Sequence, residues 1–241
     1  MQTGNPALRA GAFEQVRAFD NATQMTIQGA ANKTFFLALI VVMAAALSWA
    51  NPARLAPFLW PALIAGFVLA IVTGFKKTWA PVTAPIYAFL EGIVLGGISV
   101  FFEQAYPGIV MQAVGLTLGV LFAMLFIYKT GLIRVTSGFR LGVFAATGGI
   151  ALYYLLSMIL GFFKIRVPLI YDSGLLGIGF SLFVVIIAAL NLVLDFDAIK
   201  QGADAGAPKY MEWYGAFALM VTLIWLYIEI LRLLTKLRRK D

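Results

Sequence analysis

The chain has 241 residues, of which 62% are hydrophobic and only 12% charged, where a soluble domain carries about 25%. It contains no cysteine and no histidine, which excludes disulfides, thiol chemistry, zinc sites built on those ligands and histidine as a pH switch. The net charge of +7 comes largely from basic residues at the ends of apolar runs, so membrane topology explains it better than nucleic-acid binding does.

Residues 1–33 form a polar, mildly amphipathic tail with Phe13, Val16, Arg17, Phe19 and Asp20 among small residues, and no secretory apolar core precedes the first span. Such a tail either lies at the cytoplasmic surface or serves as a recognition segment for a partner or protease. Apolar segments then follow at Thr34–Ala50, Phe58–Phe75, Pro85–Phe102, Ile109–Tyr128, Leu141–Phe163, Leu175–Leu194 and Tyr214–Leu234. Each is about long enough to cross a hydrocarbon core of ~30 Å at 1.5 Å per residue. No alternating barrel pattern occurs, so the expected fold is an all-α membrane protein with seven transmembrane helices over residues 34–234. A basic tail, 235–241, ends the chain.

Lys and Arg report sidedness. The amino-terminal side holds ten: Arg9, Arg17, Lys33, Lys76, Lys77, Lys129, Arg134, Arg140, Lys200 and Lys209. The opposite loops hold three, Arg54, Lys164 and Arg166. The amino terminus is therefore expected in the cytoplasm. Arg232, Lys236, Arg238, Arg239 and Lys240 break this pattern if all seven segments span, and the length of the last segment favours a full span. Small-xxx-small spacings at Gly92/Gly96, Gly115/Gly119 and Gly138/Gly142 are expected to pack helices closely within the monomer, the alternative being a dimer seam.

The polar residues inside the spans carry any chemistry, because a charged acid at bilayer depth is costly. Glu91 lies about two turns into the third span, with Tyr87 and Ser99 near its face, as a structural hydrogen-bonder or part of an ion path. Asp195 and Asp197 are about 200° apart on a helix, so only one can face the bundle interior. Asn191, one turn earlier, makes Asp195 the inward candidate and leaves Asp197 to the headgroups or Lys200. Two acids at a helix C-terminus oppose its dipole and need another reason. Glu212 falls in the first turn of the last helix, where the dipole favours it, and on the same membrane side as Asp195. Glu229 and Arg232 are placed to pair, and Thr222 and Trp225 share their stripe.

Enzymatic readings fail on these residues. A serine hydrolase or a ceramidase-type metal site lacks its histidines, and no glycine-rich phosphate cradle is present. An intramembrane aspartyl protease needs two deep aspartates, one following Gly-x-Gly, whereas Tyr171-Asp172 sits in a loop.

The hairpin Leu194-Asp195-Phe196-Asp197-Ala198-Ile199-Lys200, Pro208 to Tyr214 and Trp225 to Leu234 resembles the Bax-inhibitor/YccA-like (transmembrane Bax inhibitor motif) family, in its bacterial branch. Phe75-Lys76-Lys77, Phe89-Leu90-Glu91-Gly92 and Tyr128 to Thr136 extend the likeness over roughly residues 30–235. The resemblance implies a central seventh helix wrapped by the other six. In some members it also implies a proton-sensitive calcium leak in which an acid ending the sixth span pairs with an acid in the seventh. Asp195 matches the first acid. The matching place for the second is near Thr222, which is not a carboxylate. Lys76 or Lys77 would stand for a basic partner.

The expectation is thus a non-enzymatic protein of a bacterial inner membrane, with a cation (calcium) leak path whose cytoplasmic mouth is Asp195. It needs no cofactor, binds calcium weakly at most through Asp195, Asp197, Asn191 and Glu212, and has no nucleic-acid partner. The alternative is a non-transporting regulator of an AAA membrane protease or of membrane-protein quality control.

Overall fold

The structure is a computed structural model describing residues 23–164, 169–170 and 172–239. The expectations placed on Arg9, Phe13, Val16, Arg17, Phe19, Asp20, Arg166, Tyr171 and Lys240 lie outside those residues. The long helices are α1 (Ile27–Ala50), α2 (Leu59–Phe75), α3 (Ala80–Ala105), α4 (Ile109–Thr130), α5 (Ser137–Phe162), α6 (Leu175–Asp204) and α7 (Met211–Arg238). All seven are long and apolar enough to cross a membrane. Short helical turns at Pro52–Leu55, Ala56–Phe58 and Lys77–Trp79 lead into α2 and α3.

Local signals explain where these helices differ from the apolar segments. α1 starts seven residues before Thr34, because Thr26 caps it by accepting a hydrogen bond from the Gly29 amide at 2.9 Å. α3 starts before Pro85, which lies inside the helix; Pro81 is the proline of the first turn, where a missing N–H is harmless. α6 runs to Asp204 rather than Leu194. Hydropathy marks the edge of the hydrocarbon there, not the end of the helix. Asp195 and Asp197 are therefore interior positions of α6, and the argument that they oppose its C-terminal dipole does not apply. The α6–α7 turn closes through Gly206 at φ 66°, a conformation glycine adopts without strain.

α7 is the axis of the bundle. Over its apolar stretch 56% is buried, against 11% for the apolar stretch within Pro52–Phe75. It packs broadly on α1, α3, α4 and α6, while α2 lies outside against α3 and α5 lies outside against α6. The wrapping is therefore less complete than six helices around one. The α3–α7 seam holds a Tyr87–Phe217 edge contact at 5.0 Å and a Ser99–Tyr227 hydrogen bond of 2.6 Å.

The two ends of the bundle are tied differently. At the amino-terminal face, Thr23–Met25 pairs with the α6–α7 turn: the Met25 amide donates to Ala207 O and the Lys209 amide to Thr23 O, each at 2.7 Å. At the opposite face Lys236 and Arg238 of α7 bond to loops and to the starts of α4 and α6. Lys236, 5% exposed, donates to Leu169 O at 2.6 Å and Gly177 O at 2.9 Å. Arg238 donates to Pro107 O at 2.8 Å and to the Gln112 side chain at 3.0 Å. These bonds give the charges that run against the topology rule a structural duty.

The glycine spacings divide. A Cβ on Gly96 would lie 2.4 Å from Ala45 O, and one on Gly92 would lie 2.6 Å from Val41 O, so this pair lets α1 and α3 touch. Gly115, Gly119, Gly138 and Gly142 have open space where a Cβ would stand, so the expected close packing within the monomer does not extend to them. Gly96→Ala should destabilise the protein by about 1–3 kcal/mol through overpacking, read as a lowered Tm in detergent. Gly119→Ala should leave Tm unchanged.

Candidate functional site

A carboxylate taken out of water costs several kcal/mol unless a cation or several donors meet it. The acids of this bundle divide on that criterion. Glu212, in the first turn of α7, is 0% exposed. It accepts from the Thr26 amide at 2.8 Å, the Thr26 hydroxyl at 3.0 Å and the Lys209 ammonium at 2.9 Å, and it forms an ion pair with Lys33 of α1. Gly29 has no side chain because a Cβ would stand 2.0 Å from a Glu212 oxygen. This acid fastens the start of α1 to the start of α7 and is not held against Asp195.

Asp197 forms an ion pair with Arg140 of α5 at 2.5 Å and accepts from Gln201 at 2.6 Å and from the Tyr128 hydroxyl of α4 at 3.4 Å. It ties three helices together, in place of the expected contact with headgroups or Lys200. Glu229, 1% exposed, pairs with Arg232 at 3.0 Å, and Tyr154 of α5 bonds to both: its hydroxyl donates to Glu229 at 3.0 Å and accepts from Arg232 at 2.5 Å. The Arg232 guanidinium also stacks over the Tyr154 ring at 4.9 Å.

Asp195 is different. It is partly buried between α6 and α7, and its carboxylate accepts a 2.6 Å hydrogen bond from the Thr222 hydroxyl. No cation pairs with it among the described residues. Thr222 is 8% exposed and lies in the stretch of α7 near which the resemblance places a second acid. The two-helix contact is thus made, with a hydroxyl in place of a carboxyl. Asp195 lies nine residues inside the end of α6, about 14 Å along the helix. Its side chain is thus held in the α6–α7 seam, just past the apolar stretch that ends at Leu194.

The remaining candidates are dispersed. Asn191 turns to α5, donating to the Thr147 hydroxyl and to Ile187 O, each at 2.8 Å, and shares no partner with Asp195. Lys76 lies over the Trp79 ring at 4.4 Å and Lys77 over the Tyr214 ring at 5.2 Å, so neither is the counter-cation expected for Asp195. Glu91 is half-buried beside Gly66 of α2, where a Cβ would come within 2.9 Å of its carboxylate. It has no hydrogen bond or ion pair among the described residues. Ser99, expected on the Glu91 face, bonds Tyr227 instead. Asp195, Asp197, Asn191 and Glu212 do not converge, and no group of three or more acidic, His or Cys side chains suited to a metal forms among the described residues.

Sequence reasoning missed the partners Thr26, Tyr128, Arg140, Thr147 and Tyr154. Each lies far along the chain from the residue it serves, and no local spacing announces it. The signal that was available concerned Thr222, which shares a helix stripe with Glu229.

The family model described as Bax inhibitor 1 like matches residues 5–239, so the chain belongs to that family. No curated protein matches it.

Arg232→Met should leave Glu229 buried without its cation and cost about 3–5 kcal/mol, seen as a fall in Tm. Adding Glu229→Gln should recover most of the loss. Equal Tm for the wild type and the single variant would show that Tyr154 alone satisfies Glu229.

Proposed function

We propose that this member of the Bax inhibitor 1 like family is a non-enzymatic leak path for cations, calcium among them, in a bacterial inner membrane, with its amino-terminal face in the cytosol. The observation that carries the reading is the state of Asp195. The acids Asp197, Glu212 and Glu229 are each matched by a lysine or arginine, whereas Asp195, inside the bundle, holds one hydroxyl. An unmatched carboxylate beside the central helix is where a passing cation gains most and is least opposed. Glu91 also lacks a cation, but it sits at the periphery between α2 and α3.

Calcium prefers six to eight oxygens. Asp195 and Thr222 offer a few, with water supplying the rest. That suits transit, in which a site must bind weakly enough to release. The ten basic residues on the amino-terminal side support the cytosolic placement of that face. The alternative, a non-transporting regulator of a membrane protease, rests on the tail, most of which lies outside the described residues, and no contact in the bundle favours it.

Asp195→Asn keeps the shape and the Thr222 contact but removes the charge. Calcium entry into proteoliposomes should fall towards that of empty vesicles, with Tm retained. Equal flux for wild type, variant and empty vesicles would end the leak reading.

A further inference from the structure

Residues 23–26 do more than begin α1. They lie antiparallel to the α6–α7 turn, with Gln24 opposite Pro208. From this short strap the Met25 side chain, 4% exposed, enters a cluster with Ala30, Ile199 of α6 and Leu219 of α7. Phe196, Ala203, Ala207, Met211 and Leu223 form its rim. Gly202 leaves the room this needs: a Cβ there would lie 2.8 Å from the Met25 sulfur. Ile199 is one turn beyond Asp195 on the same face of α6. Leu219 is one turn before Thr222 on the same face of α7. The Met25 cluster therefore sits one turn outside the Asp195–Thr222 contact, on the approach from the amino-terminal face.

Backbone and charged contacts help to keep the strap in place. Two backbone hydrogen bonds join it to the turn. Glu212 grips Thr26 through both amide and hydroxyl, and is itself held by Lys33 and Lys209. The strap continues the chain from residues 1–22, so it is the segment through which the tail connects to α1. Withdrawing Met25 needs movement of four residues, not of a span.

We infer that Thr23–Thr26 is an autoinhibitory strap whose Met25 side chain stoppers the amino-terminal approach to Asp195 and Thr222, with Glu212 as the latch that holds it shut. The regulatory meaning of this strap rests on the leak reading given above; its existence as a removable stopper does not.

The native chain has no cysteine, so Leu219→Cys provides a single thiol beneath the stopper. A membrane-impermeant cationic methanethiosulfonate applied at the amino-terminal face should label it slowly. In the Met25→Gly and Glu212→Gln backgrounds labelling should be at least about tenfold faster, as local opening rather than unfolding governs access. If Glu212→Gln fails to fold, Met25→Gly decides alone. Equal rates in a folded Met25→Gly variant would overturn the stopper. A second arm joins Gln24→Cys to Pro208→Cys. These positions form a non-hydrogen-bonded antiparallel pair, with Cα atoms about 4.5 Å apart, within disulfide reach. Calcium flux through the full-length protein should be lower oxidised than reduced, and equal measurable flux in both states would overturn regulation by the strap. Absence of flux from wild type would sink the leak reading, while the labelling rates would still decide whether the stopper exists.

Discussion

Removing a carboxylate from water is the constraint on which this bundle's polar architecture turns. Three of its acids meet that cost with a basic partner: Glu212 with Lys33 of α1, Asp197 with Arg140 of α5, and Glu229 with Arg232 one turn along α7. The first two matches fasten α1 to α7 and α5 to α6, while the third lies within α7 and is tied to α5 by the Tyr154 hydroxyl. Breaking one partner strands the other, which is why such pairs are costly to disturb even where their net contribution is small. Asp195 stands outside this scheme. Its hydrogen bond from Thr222 orients the carboxylate without neutralising it.

The position of α7 gives this exception its importance. Because α7 is the axis, a contact between α6 and α7 lies in the middle of the protein rather than on its lipid-facing wall. The same centrality accounts for the basic C-terminal end, which a topology rule alone would place on the other side. Lys236 reaches carbonyl oxygens in the α5–α6 connection and the first turn of α6, and Arg238 one in the α3–α4 connection. Hydrogen bonds of this kind hold charge where loop counting disfavours it.

Much of the fold was legible in the sequence, because the bilayer demands about twenty apolar residues per crossing and backbone bonds closed within each helix. Helix ends were less legible. α6 continues past Leu194 because a helix outlasts the hydrocarbon it crosses, and α1 begins early because a threonine cap outweighs the polarity of residues 27–33. The site was only half legible. Local spacing separated Asp195 from Asp197 and paired Glu229 with Arg232. It was silent on Arg140, Tyr154 and Lys33, since contacts across tens of residues leave no period. The guess that Lys76 or Lys77 faces Asp195 failed for the same reason, as both lysines lie over aromatic rings instead.

What distinguishes Asp195 in this account is the cation it lacks, so the most direct measurement supplies one. Thr222→Lys brings an ammonium into the seam beside Asp195, making it resemble the other matched acids. The account predicts that calcium entry into proteoliposomes drops to the level of empty vesicles while the protein remains folded. Wild-type flux through a folded Thr222→Lys protein would contradict it.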